Sequence, residues 1–155
     1  MLGKTDGAGA GDRTGYLDMV SFIKSNGASP KEDLIELWRR VVFNMAVSNT
    51  DDHLRNHGFL LTRNGWRLSP LYDVNPVEEG DELALNVSET DNRISIDLAI
   101  ETAHYYGIKG TDARRMADEI LVTVRDNWER VAKQCGLGRA DIEDKRPAFG
   151  VCYER

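Results

Sequence analysis

The sequence has little of what commits a chain to a special environment. It holds two cysteines in 155 residues, Cys135 and Cys152. They sit near the C-terminus without metal-ligand spacing and make no disulfide framework, so both are read as reduced thiols. No apolar run approaches the roughly 18 residues of a membrane span. The opening Met1-Leu2-Gly3-Lys4 has no apolar stretch of the signal-peptide kind. The chain is therefore expected to be cytoplasmic, with no membrane contact. Basic charge is also short: 20 Lys and Arg face 26 Asp and Glu, a formal net charge of -6. A broad nucleic-acid footprint needs a basic excess or stripe, so direct nucleic-acid binding is not expected. Internal repeats and low-complexity tracts are missing. So is a P-loop: Gly3-Lys4-Thr5 has its last residues, but only two residues precede it where a glycine five positions earlier is needed.

What is present is a globular composition, 41% apolar and 30% charged. The length is that of one domain and suffices to bury a sizeable core. After a glycine-rich loop over 3–15, Leu17, Val20, Phe22 and Ile23 predict a brief helix over 16–23. Ser29-Pro30-Lys31-Glu32 has the form of a capping box with proline at the first helical position. Leu34, Trp38, Val41, Val42 and Met45 then repeat at helical spacing, to about residue 47. Asn64-Gly65 between two short apolar runs predicts a β-hairpin. The acidic stretch 77–82 reads as a solvated loop, and 83–87 as one more short strand. Residues 97–106 predict a helix ending at Gly107. A long helix capped by Thr111 or Asp112 should reach about Gln134, with Met116, Ile120, Leu121, Val124, Trp128 and Val131 as its stripe, closed by Gly136 and Gly138. A last turn is expected over 141–145. The fold class expected is mainly α with a small β-hairpin.

The chemistry concentrates in the polar loop Asp51-Asp52-His53-Leu54-Arg55-Asn56, placed directly after a buried helix. Asp-x-x-x-x-Asn alone is a common loop pattern that local turn hydrogen bonds explain as well. Here a hairpin follows, and then a second aspartate, Asp73. That is the order of a protein-kinase catalytic core. One carboxylate takes or orients the proton of the attacking hydroxyl. An asparagine oxygen and a later carboxylate supply hard donors to magnesium, which is usually shared with phosphate.

The stretch 44–76 resembles the catalytic core of HipA-like serine/threonine kinases. Their pattern is an apolar helix, (N/A)-T-D-x-H-x-x-N, a hairpin and L-x-P-x-Y-D. It is matched by Asn49-Thr50-Asp51, His53, Asn56 and Leu68-Ser69-Pro70-Leu71-Tyr72-Asp73. Softer likeness runs over the flanks, from Met1 to Asp18 and over 83–149. The resemblance implies a protein-kinase-like C-lobe, with Asp51 as catalytic aspartate and Asn56 and Asp73 as the magnesium ligands that position ATP. His53, two residues on, is either a phosphate-facing catalytic residue or a hydrogen-bonded structural one. Asp52 is expected to face solvent, Tyr72 to pack, and Arg55 to be exposed. The family's ATP-gripping loop and lysine lie upstream of anything in these residues. Residues 1–155 are therefore expected to form a single C-terminal lobe that lacks the N-terminal lobe and is inactive alone, whether as a fragment, a decayed gene or half of a split kinase. Partners implied are that lobe, on the same or a separate chain, a protein substrate, and a helix-turn-helix antitoxin, since the family includes toxins of toxin–antitoxin pairs.

Two other readings compete. An orphan lobe can act as an inactive protein-binding module. A metal-dependent hydrolase would use His53 and His57 with Asp51 and Asp52. The zincin pattern, however, needs glutamate directly after the first histidine on a helix, and Leu54 stands there in a loop. His104, beside Tyr105, is read as structural.

Overall fold

The computed structural model describes residues 14–154. The start of the glycine-rich stretch, Gly3-Lys4-Thr5 with it, lies outside the described residues. The helices are α1 (Tyr16–Asn26), α2 (Pro30–Ala46), α3 (Ile96–Thr102), α4 (Gly110–Gln134) and α5 (Arg139–Lys145). The hairpin is β1 (Phe59–Thr62) with β2 (Gly65–Leu68), and short 3₁₀ segments occupy Leu54–Asn56, Ala103–Tyr106 and Arg146–Tyr153. The architecture is mainly helical with one two-stranded antiparallel sheet, as the pattern predicts. None of these helices is long and apolar enough to cross a membrane.

Helix α2 is the centre of the core, against α1, α3, α4 and the final 3₁₀ segment. Its stripe of Leu34, Trp38, Val41, Val42 and Met45 is buried throughout. Each such side chain contributes about 1.5–3 kcal/mol on burial. Trp38 also donates from Nε1 to the Ala99 carbonyl at 2.8 Å, pinning α2 to α3. Pro30 does open α2, but the expected capping box is not made: Ser29 forms no side-chain cap. Glu32, the other half of the expected box, pairs instead with the Arg67 guanidinium of β2 at 3.1 Å.

Helix α1 extends beyond its expected end and buries Tyr16, Met19, Val20 and Ile23, one turn apart. Helix α4 starts two or three residues earlier than expected, with Lys109 as its cap rather than Thr111 or Asp112. Its inner face is Ala113, Ala117, Leu121, Val124 and Trp128. Val131, on the same predicted stripe, is half exposed, so the stripe outruns what covers it. Trp128 stacks on Phe149 at 4.2 Å, with Arg146 over the indole. Cys135 is exposed and Cys152 buried, both unbridged. The Cys152 thiol donates to the Ala46 carbonyl at 3.3 Å, and burial pushes its pKa up to about 11. Helix α3 runs on through the 3₁₀ turn and closes at Gly107.

The hairpin pairs Phe59 with Leu68 and Leu61 with Trp66. Gly65 has φ +124° and lies against the Asn26 carbonyl, where a Cβ would stand 2.7 Å from the oxygen, so only glycine fits this turn. Phe59 and Trp66 rest on Phe22 of α1, and the buried Asp33 of α2 accepts from Arg67 Nε and from the Leu68 amide. These contacts fix the hairpin on the helical body. The strand expected over 83–87 does not form. Leu83, Leu85 and Val87 do alternate inward and are buried. The segment meets only isolated bridges, Glu82 to Arg93 and Asn86 to Gly15, so no ladder builds up. The acidic loop is mostly exposed, but Glu78 pairs with Lys145 of α5, which holds its carboxyl below the usual range.

Candidate active site

Helix α2 ends at Ala46, and Ser48 turns the chain with φ +47°. A residue other than glycine in this left-handed region is uncommon. The turn is held because Asn49 donates its amide to the Asn44 carbonyl at 2.8 Å. Residues 77–84 run behind the loop and grip its backbone: Val77 N donates to Ser48 O, and Ala84 N to Thr50 O. Gly80, at φ +123°, lets this segment lie on Thr50, since a Cβ there would meet Thr50 Cγ2 at 2.9 Å.

On this frame Asp51 is exposed, and its carboxylate has no hydrogen bond or ion pair among the described residues. His53 is half-buried, and its Nδ1 is enclosed without a partner. The 3₁₀ turn Leu54–Asn56 then brings Asn56 inward, 4% exposed. Asn56 Nδ2 lies 3.4 Å from the Asp51 carbonyl and 3.5 Å from the Asp73 carbonyl. One amide therefore sits between the two aspartates picked out in the sequence. Asp73 has φ +57°, again left-handed, and its side chain is exposed. Strained backbone of this kind clusters at functional sites. Tyr72 was expected to pack, yet it is exposed. Its hydroxyl donates to the Arg55 carbonyl at 2.7 Å, tying the residue before Asp73 to the residue before Asn56.

Asp52 is the clearest correction. It is 1% exposed rather than solvent-facing. Its Oδ2 accepts from Tyr16 Oη, from Asn44 Nδ2 at 2.8 Å and from His57 Nε2 at 2.9 Å. Three converging donors satisfy a carboxyl group taken out of water. In return, burial and then the Asp52 charge hold the Tyr16 hydroxyl well above its ordinary pKa. The sequence carried a signal for this: Asn44 interrupts an otherwise apolar helix face, and a buried amide requires partners.

Asn56 and Asp73 fit magnesium by donor type, a neutral amide oxygen and a carboxylate. The arrangement does not fit the histidine-based alternative. The His57 side chain is fully buried and occupied by Asp52. No group of three or more His, Cys, Asp or Glu among the described residues is arranged to hold a metal ion. His104 is exposed, with Nδ1 at the Glu101 carbonyl and its ring against Tyr105, in keeping with a structural role.

Comparison with known proteins gives two findings. The model of the HipA-like C-terminal domain matches residues 2–128. The chain is also 23% identical over 125 residues to "Putative kinase Y4mE" of Sinorhizobium fredii (strain NBRC 101917 / NGR234). That alignment covers 79% of this chain and 24% of the relative, so the chain spans about a quarter of the curated relative it matches. With the family pattern matched over most of its length, this chain belongs to the HipA-like C-terminal domain family.

Proposed function

We propose that this chain is the catalytic C-lobe of a HipA-like serine/threonine kinase, with a protein-kinase-like arrangement, transferring the γ-phosphoryl group of ATP to a protein hydroxyl. The observation that carries the reading is Asn56, whose amide lies between Asp51 and Asp73. The exposed Asp51 carboxylate accepts the proton of the attacking hydroxyl as the new oxygen–phosphorus bond forms and the bond to ADP breaks. Asn56 and Asp73 hold magnesium, which when bound neutralises charge on the phosphates. His53, whose Nδ1 is enclosed, would have Nε2 to offer to phosphate. Positioning and charge neutralisation supply most of such catalysis, so both lobes are required. The nucleotide-gripping lobe comes from residues outside these 155, on the same or a separate polypeptide. A helix-turn-helix antitoxin as partner rests on family resemblance alone.

A second reading, a binding module without catalysis, is favoured by Leu60 and Leu61, which stand 55% and 70% exposed on β1. A phosphotransfer assay with Mg-ATP separates the two. The chain is tested alone and co-expressed with the polypeptide encoded directly upstream, as wild type and as Asp51→Asn. Activity only in the combination, reduced about 100-fold or more by Asp51→Asn, is the expected result. No transfer in any combination would overturn the kinase reading in favour of the module.

A further inference from the structure

Behind the candidate site runs a chain of hydrogen bonds through three asparagines, two joined by their side chains and the third through its main chain. It starts at the Asp52 carboxylate, buried and acceptor-only when ionised. Asn44 must therefore present its nitrogen to Asp52, which it does at 2.8 Å. That turns Asn44 Oδ1 toward Asn49, whose Nδ2 donates to it at 3.2 Å. Asn49 Oδ1 is in turn left facing Asn75, and the Asn75 main-chain amide donates to it at 3.3 Å. Finally Asn75 Nδ2 donates to Asp73 Oδ1 at 3.1 Å. One buried acceptor thus sets the orientation of the Asn44 and Asn49 amides, and Asn49 in turn fixes the Asn75 main chain; aligned hydrogen bonds of this kind strengthen one another. Asn44 and Asn49 are 0% and 1% exposed, so water does not compete with them.

The two ends of this chain are telling. One is Asp52, the neighbour of Asp51. The other is the Asp73 carboxylate, on a residue held at φ +57°. A donor fixed on Oδ1 leaves Oδ2 as the oxygen open to a ligand. Metal-ligating carboxylates are commonly oriented by such outer hydrogen bonds.

We infer that Asn44, Asn49 and Asn75 are positioning residues, a polar strut that sets the Asp73 carboxylate against the 51–56 loop for binding a divalent cation. The inference rests on the kinase reading of Asn56 and Asp73 as metal ligands.

The test uses Mn²⁺ alone as a paramagnetic probe, titrated into the 155-residue chain and followed by amide NMR. Wild type should lose signal first around Asn56 and Asp73. Asn75→Ala removes an exposed side chain, so the melting temperature should not move, but Mn²⁺ should bind about tenfold more weakly. Asn49→Ala should weaken binding at least as much. If that variant does not fold, Asn75→Ala decides. Wild-type binding at Asn56 and Asp73 with unchanged affinity in Asn75→Ala would overturn the strut and leave the magnesium assignment standing. No preferential broadening there in wild type would overturn the magnesium assignment and the strut together.

Discussion

Asp51 and Asp52 are identical side chains one residue apart, and they belong to two different regions of the molecule. Asp52 is on the inner side of the loop, among donors from α1, α2 and His57 at the end of the Leu54–Asn56 turn. Asp51 is on the outer side, its exposed carboxylate without a partner among the described residues. The inner side is a closed, satisfied network, where a change costs stability. The outer side is an open set of oxygens, where, on the proposed kinase reading, a change costs binding or chemistry. Rigid support beneath and free donors above is the arrangement a site needs if its groups are not to reorganise when they react.

The comparison can be broken most sharply by exchanging the two aspartates for alanine. Asp52→Ala leaves Tyr16 Oη and His57 Nε2 buried without an acceptor and Asn44 Nδ2 with only its 3.4 Å contact to Tyr16 Oη, and should cost about 3–5 kcal/mol in urea unfolding. Equal stability of Asp52→Ala and wild type would show that the inner network is replaceable.

Alkaline pH attacks the inner side in a second way. The folded-state pKa of Tyr16 lies well above its ordinary 10.0. The stability linked to a raised pKa is fully present below the unfolded value and is lost as pH rises toward the folded one. Above about pH 10 each such tyrosine should therefore cost up to about 1.4 kcal/mol per pH unit. Tyr106, raised by burial, adds in the same direction, as does the Cys152 thiol at about 11. Tyr16→Phe should flatten the fall of unfolding free energy between about pH 10 and 11. An unchanged slope would place Tyr16 outside the titration.

Smaller effects belong to the outer side. Tyr72→Phe removes the single exposed bond to the Arg55 carbonyl and should cost about 1 kcal/mol or less by the same unfolding measurement. Asp51→Ala should be smallest of all, within about 0.5 kcal/mol of wild type. A large loss there would show that the outer carboxylate also carries the fold.

Much of this was legible from local pattern. The α2 stripe and the Asn64-Gly65 hairpin have periodicities and turn residues that neighbours in sequence suffice to set. The order of loop, hairpin and second aspartate was also legible, and the fold brings Asn56 between the Asp51 and Asp73 carbonyls. Local pattern failed where distant groups compete. Glu32 left its cap for Arg67 on β2, and 83–87 had apolar alternation but no ladder partner.

The sequence by itself determined the helices, the hairpin and the short list of oxygen-bearing residues, because each depends on spacing along the chain. Only the tertiary structure decided which of two adjacent aspartates points inward. Nothing local distinguishes Asp51 from Asp52. The difference comes from Tyr16, 36 residues away, and from Asn44 and His57, whose donors meet only when α1, α2 and the loop that follows α2 have packed together. A buried carboxylate is stable only where such donors converge, and their convergence is a property of the assembled fold.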